Sequence, residues 1–234
     1  MTTPPTLVLL HGAGTGSWVW QRVLENVQTP AIALDVPGRA PGVTPAGCAE
    51  ALVREIDDRG IESVVPVLHS LAGVLASEVA RGLGDRLAHC VFVSGVIPPP
   101  GGSFLDAVPL PNRLILRLLF RLNRNGLKPS AGMIRRELCN DLSEEDAALV
   151  VDRYEAEMPG LYVTPAASAP RPPGWAYVKL LQDRSVTPAQ QDAMIARLPE
   201  ARRYELDAGH LAMLSNPEGL SEILVREAAV VGHG

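Results

Sequence analysis

The 234-residue sequence predicts an α/β protein: a doubly wound, mostly parallel sheet with a helical lid inserted before the penultimate strand. Three observations predict it. Short aliphatic runs recur along the chain, helical patterns alternate with them, and the alternation breaks once, between about residues 98 and 174. Runs as apolar as "TLVLL" and "SVVPVL" have no polar face, so their sheet must be covered by helices on both sides.

The strand candidates are Leu7–Leu10, Ala31–Val36, Val64–Leu68, Cys90–Ser94, Ala176–Leu181 and Arg203–Leu206, each a short β-branched or aliphatic run bounded by turn residues. Helical patterns fall between them at about Val19–Val27, Pro45–Asp58, Leu71–Leu83, Pro188–Leu198 and Pro217–Val231. The break opens with "PPPGG" and closes with "ASAPRPPGW", and it contains helical patterns without a convincing strand. Framed by proline and glycine, it reads as an insertion over one end of the sheet. The expected organisation is a core of residues 1–97 and 175–234 and a lid of residues 98–174.

Composition excludes several classes of function. A formal charge of −5 does not suit a nucleic-acid binder, and 47% apolar residues is ordinary for a soluble domain. No stretch approaches the roughly 18 apolar residues of a membrane span, and "MTTPPTLVLLHG" lacks the features of a signal peptide, so a cytoplasmic protein without membrane partners is expected. Cys48, Cys90 and Cys139 are too widely spaced to form a Cys-x-x-Cys pair and are read as free thiols. The five histidines lack metal-ligand spacing, and neither a metal nor another cofactor is expected.

In open α/β sheets chemistry gathers at the carboxyl ends of the strands. After the first strand comes "HGAGTGSW", whose glycine-rich turn either points backbone N–H groups at an anion or simply turns into a helix. After the third comes "LHSLAG", with Ser70 where a sharp strand-to-helix turn would expose its hydroxyl. Asp183 follows the fifth strand and His210 the sixth. Alone, the Asp or His reads more simply as a helix cap or a surface group. Together they give the chain order Ser, Asp, His at three strand ends, an arrangement suited to nucleophilic acyl transfer.

"LVLLHGAGTGSWVWQRV…AIALDVPG", "VLHSLAG", "CVFVSGVIPPPGGSFLD", "AYVKLLQDRSVTPAQQDAMI" and "AGHLAMLSNPEGLSEIL" together resemble the compact α/β-hydrolases related to plant methyl-ketone and salicylate methylesterases, hydroxynitrile lyases and bacterial arylesterases. The likeness covers nearly all of the chain outside the lid. It implies Ser70 as nucleophile, His210 as general base and acid, Asp183 as the carboxylate orienting His210, and the N–H groups of Ala13 and Leu71 as the oxyanion hole; the neighbouring Gly12, His69 and Trp18 are further candidates for the oxyanion or substrate site. Hydroxynitrile lyases of that group carry lysine after the catalytic histidine and threonine after the first strand's histidine. Leu211 and Gly12 stand there in this chain, the esterase-like state.

The implied activity is a serine hydrolase cleaving a small or medium apolar carboxylic ester through an acyl-enzyme, acting as a monomer or homodimer. Two alternatives stay open: a non-hydrolytic cyclase, eliminase or carbon–carbon lyase using the same site, and a ligand-binding pseudoenzyme. They stay open because the elbow departs from Gly-x-Ser-x-Gly, with Leu68 and Ala72 in place of the glycines and Pro66 in the preceding strand.

Within the lid, "NRLILRLLFRLNRNGL" sets Leu114, Ile115, Leu118, Leu119 and Leu122 on one face, widened by Leu116 and Phe120. Arg113, Arg117, Arg121 and Arg124 form a basic stripe. Either the helix packs on the sheet with its arginines in solvent, or its apolar face roofs the pocket while an arginine receives a negative group; left uncovered, the face is a natural dimer patch. Ser143 and Asp146 form a plausible capping box. Trp18, Trp20 and Trp175 are read as core aromatics near the active end, Asp35 and Asp207 as turn or cap residues, with Asp207 a lesser rival to Asp183.

Overall fold

The computed structural model describes residues 4–123, 126–166 and 174–230. Six strands form one sheet in the order β2-β1-β3-β4-β5-β6, and every pairing is parallel: β1 (Thr6–Leu10), β2 (Ala31–Leu34), β3 (Val64–His69), β4 (Cys90–Val93), β5 (Trp175–Leu180) and β6 (Arg202–Leu206). Alternate residues of β1 feed opposite faces: Leu7 and Leu9 enter one buried cluster and Val8 and Leu10 the other. The inner strands β1, β3 and β4 are covered on both faces and carry no polar alternation, whereas the edge strand β6 (RRYEL) is partly exposed.

On one face pack α1 (Gln21–Asn26), entered through a 3₁₀ turn at Ser17–Trp20, and the last helix. On the other pack α2 (Pro45–Asp58) and α3 (Ala76–Leu83). Thr44 caps α2 through its hydroxyl, which accepts from Gly47 N at 3.1 Å, and Pro45 opens it where no intrahelical N–H is needed.

Among the described residues, five helices fall between β4 and β5: α4 (Phe104–Ala107), α5 (Leu110–Leu122), α6 (Ala131–Leu138), α7 (Glu144–Arg153) and α8 (Gly160–Val163). After β5 come α9 (Pro188–Ile195), α10 (Ala212–Ser215) and α11 (Pro217–Val230). Arg124, Val231 and the proline-rich run 167–173 lie outside the described residues.

Several side-chain ties hold the insertion to the core. Arg22 on α1 grips the Asp146 carboxylate at 2.6 and 3.0 Å, Asn140 donates to Gln182 O at 3.1 Å, and Asp141 accepts from Gly209 N. Ser143 does cap α7, accepting from Asp146 N at 3.1 Å, and its hydroxyl meets Asp146 Oδ2 at 3.1 Å; the Asp146 carboxylate, shared with Arg22, returns to the Ser143 hydroxyl rather than to the backbone N–H that a capping box uses.

The stripe on α5 points the other way from the expectation. Leu114, Ile115, Leu118, Leu119 and Leu122 are exposed, while Phe120 is buried and Leu116 turns inward. Trp175 also differs from its expected place. It begins β5, at the amino end of the strand, and stacks its ring 5.5 Å from Phe92, far along the strand from Asp183.

Pro66 is accommodated by the register. Between the Val64–Leu87 bridge and the first β3–β4 pair, Val67↔Val91, the ladder is interrupted, so the missing N–H falls at a gap.

Candidate active site

β3 ends at His69, and the chain turns at Ser70 into a 3₁₀ segment, Ser70–Leu75, that runs into α3. Ser70 has φ 51°, a left-handed conformation costly for a side chain with a Cβ. Its carbonyl is fixed by Val96 N at 2.9 Å, which anchors the turn to the chain after β4.

The close approach usually relieved by flanking glycines is relieved one residue later. A Cβ on Gly73 would lie 2.5 Å from Val96 O and 2.8 Å from Val96 N. Leu68 is not among the nearest neighbours of that contact and is fully buried in the cluster with Leu71, Ala72, Leu75 and Phe92. Neither departure from the motif therefore prevents the turn.

His210 follows β6. Its Nδ1 lies 2.7 Å from Asp183 Oδ2, and its ring and Ser70 both border one cavity. Asp183 has every acceptor position engaged: Oδ2 also receives Ser94 Oγ–H at 2.6 Å, and Oδ1 receives Ser185 N at 2.8 Å and Val186 N at 2.9 Å. Burial alone would raise its pKa; the neighbouring His210 and these donors outweigh burial and hold the carboxyl below its ordinary value. The carboxylate is thereby kept ionised, and its hydrogen bond selects the tautomer with Nδ1 protonated, leaving Nε2 as the basic nitrogen. Asp207 is exposed and engaged with Gln182 Nε2 at 2.6 Å, so it does not reach His210.

The cavity, about 290 Å³, has a mainly apolar wall. Ala13 and Leu71 border it beside Ser70; Val96, Phe104, Val108, Leu116, Ile134, Leu138, Tyr154, Tyr162 and Met194 close it, with Asn112, Glu137, Ser185 and Gln190 the polar groups. Leu71 N–H lies in the first helical turn, where backbone donors lack intrahelical acceptors.

Three other expected residues stand back from the cavity. Gly12 backs Ser70: a Cβ there would meet Ser70 Cβ at 2.8 Å and His69 Nδ1 at 2.9 Å. His69 is buried behind the site, with Nε2 2.9 Å from His210 O and its ring packed on His210 and Trp20. Burial, followed by the nearby His210, lowers its pKa to about 3, so the ring is neutral and donates from Nε2. Trp18 packs against the α1 face, its ring under the Arg153 guanidinium at 5.3 Å. The α5 arginines also miss the cavity wall; Arg113 and Arg117 face Asp106 instead.

The sequence reading missed Ser94, Tyr154 and Glu157. Ser94 had a usable signal, since "VSG" ends a strand. It has φ 45° and is completely buried, the same forced geometry as Ser70 one strand away. Tyr154 and Glu157 come from the insertion, where spacing gives no clue to position.

Among the described residues no group of three or more His, Cys, Asp or Glu could hold a metal ion, and no helix is long and apolar enough to cross a membrane. Comparison with known proteins now bears on the site. The profile of the alpha/beta hydrolase family matches residues 7–223. Methylesterase 17 of Arabidopsis thaliana is 24% identical over 262 aligned positions, covering 98% of this chain and 93% of that protein. A protein of Phoma sp. named "Probable hydrolase R7" is 26% identical, covering 97% of this chain and all of that protein. The solved structure of an extracellular alpha/beta-hydrolase from a Paenibacillus species superposes with a TM-score of 0.82 at 18% identity, covering 95% of this chain and 98% of that one. With the family profile spanning all six strands and the Ser70, Asp183 and His210 turns, the chain belongs to the alpha/beta hydrolase family of hydrolytic enzymes.

Proposed function

We propose that the protein is a serine esterase that cleaves a small or medium apolar carboxylic ester through an acyl-enzyme. The reading rests on one observation above the others: His210, hydrogen-bonded to a fully engaged Asp183, borders the same apolar cavity as a strained Ser70. A serine hydroxyl is a poor nucleophile at neutral pH. As Ser70 Oγ attacks the ester carbonyl, His210 Nε2 takes its proton, and Asp183 steadies the imidazolium. The carbonyl oxygen becomes an oxyanion that the N–H groups of Ala13 and Leu71 would receive. Collapse of the tetrahedral intermediate expels the alkoxide, which leaves as the alcohol with the proton from His210. Water then attacks the acyl-enzyme with His210 as base, releasing the acid and restoring Ser70.

Relatives named methylesterase and hydrolase support an ester as the substrate class. The mostly apolar wall supports an apolar acyl or aryl group, and a volume near 290 Å³ supports a modest one. We further propose a cytoplasmic enzyme without metal or cofactor, its 98–174 segment acting as the lid. The unpaired, buried thiols of Cys48, Cys90 and Cys139 suit a reducing compartment.

A fluorophosphonate probe should add a single adduct, at Ser70, to the wild type and none to Ser70→Ala. In a panel of methyl and aryl esters, Ser70→Ala should lower kcat by at least about a thousandfold. Absence of the adduct would remove acyl chemistry. An adduct without turnover of any ester would favour the non-hydrolytic use of the site.

A further inference from the structure

We propose that Glu157 is a positioning residue for the oxyanion turn, holding Ala13 N–H where the developing oxyanion needs it. This rests on the esterase reading above and deepens it. Glu157 stands between α7 and α8, and its carboxylate is almost wholly buried. Oε1 accepts both from Gly14 N at 2.7 Å and from Arg39 Nε at 3.0 Å. Its own backbone is pinned in a two-way bridge, with Leu127 N donating to Glu157 O and Glu157 N to Leu127 O, both at 2.9 Å.

The rest of the turn is held by the same neighbourhood. Glu155 N donates to Gly14 O at 2.9 Å, and Arg39 Nη2 donates to Thr15 O. Tyr154 lies directly over Gly14. A Cβ there would be 2.0 Å from the ring, and Gly14 has φ 73°, so only glycine fits. Thr15 Oγ1 donates to Gly12 O at 3.2 Å. Ala13, the turn residue on the cavity wall, is thus bracketed by peptides whose orientation is fixed by Tyr154, Glu155 and Glu157 of the insertion together with Arg39 from the chain after β2.

The energetic reason follows. A glycine-rich turn left to itself samples several orientations, and a donor that must reorient during reaction stabilises the oxyanion less than one already in place. A buried carboxylate needs more than one donor, and Gly14 N–H together with Arg39 supplies them. Removing the carboxylate frees Gly14 N–H and takes from Arg39 one of its anchors, leaving it Thr15 O and the Glu155 carboxylate at 3.4 Å. That should harm the transition state and leave ground-state binding in the apolar cavity untouched.

The test compares Glu157→Ala and Glu157→Gln with the wild type in steady-state ester hydrolysis, in the rate of fluorophosphonate labelling, and in affinity for two ligands. One is an aryl trifluoromethyl ketone, which forms a tetrahedral oxyanion on serine; the other is the matching methyl ketone, which binds the apolar cavity alone. For Glu157→Ala we expect kcat to fall about tenfold to a hundredfold with KM within about twofold. Trifluoromethyl ketone affinity should fall by the same factor, and methyl ketone affinity should stay unchanged. Glu157→Gln keeps an oxygen for Gly14 N–H and should lie within about threefold of the wild type in kcat. Should the alanine variant fail to fold, Glu157→Met fills the same space without an acceptor for Gly14 N–H: weakened discrimination between the two ketones in Glu157→Met supports the proposal, and undiminished discrimination overturns it. Equal loss of both ketones in Glu157→Ala, or a rise in KM alone, also overturns it. A wild type that takes no label overturns the esterase reading itself, whereas a labelled wild type with an equally fast Glu157→Ala overturns only the positioning.

Discussion

Ser94 illustrates how much a single buried hydroxyl decides. It sits in a left-handed conformation at the end of β4 and gives its proton to Asp183 Oδ2, the same oxygen that faces His210. Removing it leaves a buried carboxylate one donor short. Ser94→Ala should therefore cost about 1–3 kcal/mol of unfolding free energy at neutral pH. Because the hydrogen bond is to the ionised form, it helps hold the Asp183 pKa down, and that contribution is fully present above the carboxyl's unfolded value and is lost as pH falls from there through the lower folded value. The difference between variant and wild type should shrink as pH falls below about 4. Denaturant unfolding at pH 7 and pH 3 measures it; an equal loss at both would mean that only packing was removed. At this scale the sequence was informative where the fold has a strand end, so Ser70, Asp183 and His210 could be singled out in order. It was silent where a residue works by being unable to be reached. His69 and Gly12 sit beside Ser70 in the chain or in space, yet both face into packed protein rather than into the cavity, and nothing in "HGAG" or "LHSLAG" distinguishes the two situations.

Among the elements, α5 shows the limit of periodicity. Its apolar residues occupy most of the circumference, broken only by Asn112 and the line Arg113, Arg117 and Arg121. Such a helix tells which residues share a face but not which face turns inward. The choice was made by partners elsewhere: Phe120 finds Tyr162 at 4.8 Å, and Asp106 draws Arg113 and Arg117 to its side. The leucines that the pattern assigned to the roof consequently face solvent, and Leu116 takes a place on the cavity wall. A paired substitution separates the two faces. Leu114→Gln with Leu118→Gln should change unfolding free energy by less than about 0.5 kcal/mol per site, whereas Phe120→Ala should cost about 3–5 kcal/mol. A loss above about 2 kcal/mol for the leucine pair would show that those side chains are covered in solution. The strands were legible for the opposite reason. Both faces of the inner strands are buried, so there was no direction to choose there, and five of the six strands were placed to within a residue at each end; β2 stops two residues short of the expected Val36.

For the molecule as a whole, acid should be more damaging than the carboxylates alone would make it, because two histidines are folded away uncharged. His69 is lowered to about 3 by burial, with His210 next, and His11 to about 4, again chiefly by burial. His11 uses both ring nitrogens, Nδ1 toward Gly12 O at 2.8 Å and Nε2 accepting from Val36 N at 2.9 Å, which only the neutral ring can do. In the unfolded chain both would take a proton near pH 6.5. Between that value and their folded values the unfolded state therefore holds more protons than the native one, so stability falls as pH falls. Glu227 extends the loss. Its pKa is about 2, burial being outweighed by Arg202, His89 and Tyr204, so its contribution is present above its unfolded value near 4.5 and disappears between there and about 2. Unfolding free energy should thus be flat between about pH 7 and pH 8, decline by roughly 1.4 kcal/mol per pH unit for each buried histidine below pH 6.5, and steepen below about 4.5. His69→Gln keeps a donor near His210 O and carries no titrating ring. It should reduce the slope between pH 6 and pH 4.5 by about one histidine's worth, whatever it does to stability at neutral pH. Urea unfolding of both proteins across pH 4.5–7.5 tests this, and a variant with the wild-type slope would mean that His69 is charged in the native protein or that its surroundings rearrange to hydrate it.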